Sequence, residues 1–487
     1  MNKIILNLSN GKIEKINCPD PSLEEGFTYV KNLYSVVSPG TEKMLIKFGN
    51  ENLFKKVIHN LDKVSIVVRK IFEEGFISTY KKVENKLKQP IELGYSTCSV
   101  VVDTTSNNFS VGDIVITNGP HSDFSLVKNN LCLKIDNLQI DKKNLSYSFI
   151  AAIAVNAFKI SKVNKEHSAA VIGLGALGVI LSKFIISEKI KLYSFDINNL
   201  KTEQFKNELN AKYVNKNFTN IDSNMSNSLE VVFLCIENIS TKILYKSCEM
   251  LKKNGTVIIV GTTKAYFPRD IIYKKNLKIK VAVSYGPGRY DESFEKGLDS
   301  NYLKKYKFSY LDNLNAFIKK LDRNDIDLTN LNFKEYSFDD YKLAYKDLSI
   351  GKIQGIVFNY NKYKIDNFPD IKIVKELPIN NNLINCDIIG TGNHSSNVII
   401  PNIIKSKNRN VMNLISKNGI SDYFINNKLK LNANLSSINQ ILQKKYINNY
   451  LFILSSHNTH SKYLLNFINL KKKIFIEKPL CENLNEL

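Results

Sequence analysis

Residues 171–178 read VIGLGALG, which sets Gly173, Gly175 and Gly178 in G-x-G-x-x-G spacing. The first glycine of such a run permits a tight turn out of a strand. The second lets the backbone approach a diphosphate, and the third lets the following helix pack closely. Leu174, Ala176 and Leu177 stand between them, where a helix start points its N–H groups and positive dipole end at phosphates. Asp196 closes the next apolar run, KLYSFD, eighteen residues past Gly178. A carboxylate there can accept from both ribose hydroxyls and repels a 2′-phosphate, so NAD is expected over NADP. Cys235 and Gly261, at the ends of the later runs LEVVFLC and GTVIIVG, complete the expected cofactor contacts.

A second run, IIGTGNHS at 388–395, supplies Gly390, Thr391, Gly392 and Asn393, with Ser395 in the third glycine position. Serine is small enough for close packing. The apolar run after it ends in Ser416 and Lys417 rather than an aspartate. Lys417 could accept a 2′-phosphate; a solvated lysine explains it equally well. NAD or NADP is therefore expected here.

The elements that must carry these loops follow from periodicity. Alternating β-branched residues over 1–49 and 91–135 read as short strands with turns. Residues 50–90 have helical apolar spacing, giving a β-rich domain over 1–145 with a helical insertion. Over 146–285 buried-type strands alternate with helices, the pattern of a parallel sheet covered on both faces. Residues 286–360 mix helices with the closing strand GKIQGIVFNY, and the polar, asparagine-rich 361–384 suits a linker. A new strand-turn-helix unit begins at 385 and occupies 385–487.

Bulk properties narrow the classes. A chain of 487 residues with 43% hydrophobic and 23% charged residues is a soluble globular protein of several domains. No run reaches the ~20 apolar residues of a membrane span, and the N-terminus lacks a signal-peptide core, so a cytoplasmic location is expected. The seven cysteines form no C-x-x-C pair, against both a zinc knuckle and a disulfide framework. Net charge is +22, but the lysines are spread along the chain without a basic arm or an RNP-like motif. No nucleic-acid role is expected. Such a role would show as steeply salt-dependent binding.

SVVSPGTEK, LGYSTCSVVV, VGDIVITNGP and the first glycine loop, in this order, resemble the medium-chain dehydrogenase/reductase family of alcohol dehydrogenases over roughly residues 1–360. The resemblance implies a GroES-like β domain, a Rossmann domain and a cofactor cleft between them. SYGPGRYD at 284–291 resembles a subgroup in which such a unit is fused to a second oxidoreductase module. Where zinc-dependent members carry a cysteine ligand this chain has Pro39, and where they carry a histidine it has Tyr95 followed by Ser96. The four-cysteine lobe is missing as well. No metal is expected. Tyr95 then becomes the candidate hydrogen-bond donor to a developing alkoxide. Glu42, Lys43 and His121 are secondary candidates, each equally readable as an ordinary turn or surface residue.

In the last hundred residues, HNTHSKYLL and KKKIFIEKPL resemble the glucose–fructose oxidoreductase, inositol dehydrogenase and MocA (Gfo/Idh/MocA) family. Glu477, Lys478 and Pro479 match its late motif and His460 its upstream histidine. The resemblance makes Lys478 and His460 catalytic or substrate-orienting candidates. The sequence ends eight residues after Pro479, before the open-sheet substrate domain that the family carries. A gene fragment or frameshift is the preferred reading, with a degenerate module or completion by another polypeptide as alternatives.

The expected fold is thus α/β: a GroES-like domain and a Rossmann domain, followed by a second, C-terminally truncated Rossmann domain. The expected activity is zinc-independent, NAD(P)-dependent hydride transfer on an alcohol or carbonyl of a small molecule. The fused subgroup adds a sugar or sugar derivative of surface polysaccharide metabolism, and the family adds a possible homodimer. The competing reading is a non-catalytic nucleotide-binding scaffold, or the remnant of a split bi-domain dehydrogenase.

Overall fold

The computed structural model describes residues 1–51, 90–214, 225–261, 265–298, 308–350, 353, 355–361, 383–406, 408–417, 419–444 and 448–487. The expected helical insertion and linker fall almost wholly outside these residues.

Two sheets form the N-terminal unit. Asn2–Asn7 pairs antiparallel with Ile13–Asn17 and Pro90–Glu92. The larger sheet centres on Phe27–Val36, a ten-residue strand that pairs with Thr97–Thr104 and with Phe124–Lys128. Its other members are Ile114–Thr117 and Cys132–Lys134. Gly355–Asn359 returns to pair with the same central strand, Val357 opposite Val36, and carries Phe333–Ser337 beside it. The closing strand read in the sequence therefore closes the N-terminal sheet.

One expectation for this unit is corrected. Residues 1–49 do not all run as strands and turns, because Pro39–Asn50 is a helix. Pro39 at its start pre-sets φ, and Glu42 in the first turn suits the positive helix end. Leu45 and Ile46 pack against a core of Val37, Leu93, Phe338 and Phe358. A Pro-Gly pair opens helices as readily as turns, which is why local reading missed it.

The glycine loops sit on two parallel sheets. In the first the strand order is Ala211–Tyr213, Lys191–Asp196, Ser168–Ile172, Leu229–Leu234, Leu251–Val260 and Lys278–Ala282. Ser168–Ile172 is central, and four of its five residues are buried. That position explains its unbroken run of small and branched apolar side chains. The second sheet repeats this order with Asn434–Ser436, Arg409–Ile415, Ile384–Ile389, Tyr450–Ile453 and Lys473–Ile476. The α/β architecture matches the expectation from the sequence.

The C-terminal module packs onto the N-terminal sheets through an apolar cluster. Ile420, with Tyr423 beside it, joins Met1, Ile5, Ile16, Cys18 and Phe124. Gly419 lies close to the same segment. A Cβ placed there would sit 2.6 Å from Pro19 Cδ, at a φ of +72°.

Candidate active site

In the first glycine loop the backbone itself demands glycine. Gly173 has φ +101°, and a Cβ there would meet the Cys235 carbonyl oxygen at 2.6 Å. A Cβ on Gly178 would lie 1.8 Å from the Gly173 carbonyl oxygen, so only glycine lets the helix Ala176–Ser187 pack this closely. Nothing lies within 4 Å of a Cβ at Gly175, whose backbone faces open space. No side chain caps this helix, leaving its first amides for a ligand. A diphosphate fits this cradle.

Asp196 holds the loop. Its carboxylate accepts from Leu174 N at 2.6 Å and from Asn198 N at 2.8 Å. The Gly173 amide donates to the Phe195 carbonyl at 2.7 Å, tying loop to strand. Asp196 is only 9% exposed, and Asn198 and Lys201 line the adjoining cavity in its place. Neither was singled out from the sequence, since a lone lysine in a lysine-rich chain carries no signal.

That cavity, about 530 Å³, lies between the N-terminal unit and the first Rossmann sheet. Gly175, Ala176, Leu177, Gly178, Cys235 and Gly261 line one side; Ser38, Pro39, Thr41, Lys43 and Tyr95 line the other. Gly173 and Leu174 stand behind it at the strand end, Leu174 fully buried. Burial pushes the Cys235 thiol up to about 12, so it is a neutral wall group. Burial first, and Lys201 second, lower the Lys43 ammonium from its ordinary value.

Tyr95 lines this cleft, with Ser38 and Thr41 close enough to favour its ionised form. Burial holds its phenol above the ordinary value despite these partners, so it stays protonated at neutral pH. The Tyr285 ring lies 6.0 Å away, centroid to centroid.

Glu42 and His121 come together, but beneath the cavity wall rather than in it. Both are essentially fully buried. His121 Nε2 lies 3.2 Å from Glu42 Oε1, and its Nδ1 lies 2.7 Å from Ser35 Oγ. Tyr345 donates to Glu42 Oε2 at 2.5 Å, and the Ser38 amide donates to Oε1 at 3.1 Å. Ser35 in turn meets the Tyr360 hydroxyl at 2.8 Å. This network fastens the helix that presents Ser38 and Thr41 to the returning strand. Neither Glu42 nor His121 lines the cleft, and Glu42 meets its wall at the Ser38 amide. Among the described residues no group of three or more His, Cys, Asp or Glu could hold a metal ion.

The second loop repeats the construction. A Cβ on Gly390 would meet the Ser455 amide nitrogen at 2.5 Å, and Gly392 faces open space. Ser395 is buried at the third position, and its hydroxyl has no partner among the described residues. A cavity of about 630 Å³ is lined by Gly390, Thr391, Gly392, Asn393, Ser395, Ser416 and Lys417, with Ser455, Thr459 and Tyr463. Ser22, Glu24, Glu292 and Lys296 of the first unit line it too. Thr391 donates to Asp422 at 2.6 Å; burial pushes this carboxyl up to about 6.

The late motif is placed differently. His460 is buried between the carbonyls of Pro479, at 2.7 Å, and Ser455, at 3.1 Å. It fastens the 478–479 turn to the loop wall. Glu477 lies 3.6 Å from His394 of the glycine loop. Lys478 and Pro479 are exposed and line neither cavity.

Comparisons with known proteins bear on the fold that carries this geometry. A family model described as "Oxidoreductase family, NAD-binding Rossmann fold", that of Gfo/Idh/MocA, matches residues 384–487. One described as "NAD binding domain of 6-phosphogluconate dehydrogenase" matches 168–280. No curated protein matches the chain. Among solved structures, 2R,3R-butanediol dehydrogenase from Bacillus subtilis superposes with TM-score 0.54 at 14% identity, covering 74% of this chain and 99% of that one. Galactitol-1-phosphate dehydrogenase from Escherichia coli gives 0.55 at 10% identity, covering 74% and 100%. A short chain alcohol dehydrogenase from E. coli CFT073, complexed with NADH, gives 0.53 at 12% identity, covering 74% and 99%. The chain thus has the fold of NAD(P)-binding oxidoreductases: an alcohol-dehydrogenase-like unit followed by a Rossmann segment that matches the Gfo/Idh/MocA family model over 384–487.

Proposed function

We propose that residues 1–360 bind NAD in the first cleft and transfer hydride, without zinc, between its nicotinamide and an alcohol or carbonyl substrate. The observation that carries this reading is one cavity bounded by the Gly175–Gly178 amides on one side and the Tyr95 hydroxyl on the other. The amides of Ala176, Leu177 and Gly178 would hold the diphosphate, and Asp196 would hold the adenosine ribose while fixing the loop. The nicotinamide supplies the hydride acceptor or donor. Tyr95 donates a hydrogen bond, and in the reductive direction a proton, to the substrate oxygen, oriented by Ser38 and Thr41. Two residue types support a zinc-free site: Pro39 offers no donor atom, and Tyr95 is a phenol that burial keeps protonated.

A hydroxylated substrate is supported by the polyol substrates named for the butanediol and galactitol-1-phosphate dehydrogenases. The motif at 284–291 extends this to a sugar derivative of surface polysaccharide metabolism, in a cytoplasmic protein that pairs as a homodimer. The second loop is read as a further NAD(P) site, with Glu477, Lys478 and Pro479 at its edge.

Turnover tests the proposal. Wild type is expected to oxidise or reduce members of a panel of polyols, sugars and their carbonyl partners with NAD(H). Tyr95→Phe should keep NADH affinity within about twofold and lower kcat roughly 10²- to 10⁴-fold. A protein that binds NADH but turns over no member of the panel would refute the catalytic reading in favour of a scaffold.

A further inference from the structure

The two loops can be aligned by their own hydrogen bonds. The Gly173 amide donates to the Phe195 carbonyl, and the Gly390 amide donates to the Ile415 carbonyl at 2.8 Å. The residue after each acceptor therefore holds the same place, so Ser416 stands where Asp196 stands in the first site. The second module supplies no carboxylate of its own there, and Lys417 follows. Yet a carboxylate is present. Glu24, 393 residues away in sequence, lines the same cavity and lies 2.7 Å from Lys417 Nζ. Lys417 also sits over the Phe27 ring, 4.6 Å from its centroid. The segment carrying Glu24 is held against this turn by the Pro19–Gly419 contact and by Ile420 in the Met1–Ile16–Cys18 cluster.

We propose that Glu24 is the ribose-selecting residue of the second dinucleotide site, supplied by the first module, and that it sets a preference for NAD over NADP. The proposal rests on the reading of that loop as a nucleotide site. A carboxylate accepts from ribose hydroxyls and repels a 2′-phosphate. Lys417, which alone would attract that phosphate, is paired with Glu24, so the two together offer it no net positive charge. Of the two cofactors that the sequence leaves open at this loop, a residue from another domain then selects NAD.

The test uses the full chain with the first site silenced by Gly175→Asp, where a side chain meets open space. NADH and NADPH are titrated into this variant by fluorescence at low salt, with melting curves confirming the fold. NADH should bind at least about tenfold more tightly than NADPH, the scale of a partly screened carboxylate beside a phosphate. Adding Glu24→Gln should shrink that ratio about tenfold, and adding Lys417→Met to this pair should remove the gain in NADPH affinity. A ratio unchanged by Glu24→Gln, or an NADPH preference with Glu24 intact, overturns the proposal. If the Gly175→Asp protein binds neither nucleotide, the second loop is not a nucleotide site and the proposal falls with it.

Discussion

Replacing Asp196 with alanine probes the first site most directly, because its carboxylate holds the loop and is the group proposed to meet the ribose. Two amides lose their acceptor. The Asn198 amide belongs to an exposed residue and can turn to water, whereas the Leu174 amide belongs to a fully buried one. The Leu174 bond therefore dominates, and a hydrogen bond to a buried charged acceptor contributes about 1.5–3 kcal/mol. Urea denaturation of the variant without cofactor should show up to this loss. Where the loop opens locally instead of destabilising the whole domain, the same energy appears as a smaller binding-competent fraction. NADH affinity should then fall roughly 10- to 150-fold. NADPH should lose less, since its 2′-phosphate no longer meets a carboxylate while Lys201 and Lys43 remain on the cavity wall. Tryptophan quenching is ruled out as the assay by a chain without tryptophan, so nucleotide fluorescence or calorimetry serves. Denaturation unchanged within about 0.5 kcal/mol, together with an unchanged NADH-to-NADPH ratio, would refute the assignment.

Gly178→Ala should abolish NADH binding and lower the melting temperature, because the added carbon meets a backbone oxygen that cannot move without breaking the turn; wild-type affinity would contradict the described loop. Asp422 gives a pH signature. Burial raises its carboxyl from 3.8 to about 6, so the folded protein holds this proton more tightly than the unfolded chain. Its contribution to stability is greatest below about pH 4 and is lost as pH rises through about 6, a change on the order of 3 kcal/mol. Asp422→Asn should flatten the dependence of unfolding free energy on pH across that window, and an unaltered slope would count against the buried carboxyl.

The sequence disclosed both glycine loops because the positions that admit no side chain, Gly173, Gly178 and Gly390, are fixed by local turn and helix packing. Asp196 was legible for the same reason, at a fixed distance along one strand-helix-strand unit. What it did not disclose was tertiary. Glu42 and His121 read as cleft candidates, but Tyr345 and Tyr360, some three hundred residues downstream, draw them into a buried network behind the cleft. Lys478 sits in a matching motif but is exposed, while His460 beside it serves two backbone carbonyls. Glu24 had no local pattern at all. Its placement depends on Ile420 and Gly419 meeting the N-terminal sheet, a contact that no periodicity encodes.

The return of Gly355–Asn359 to the strand Phe27–Val36 has a consequence for how the chain is made. On a ribosome adding roughly 5–20 residues per second, tens of seconds separate these partners. Throughout that interval the edge of Tyr34–Val36 turned away from Thr97 and Cys98 faces water or a stray strand. The first domain to emerge is thus the last of the dehydrogenase-like unit to be sealed, and a nascent chain halted before Tyr360 presents a ready template for aggregation.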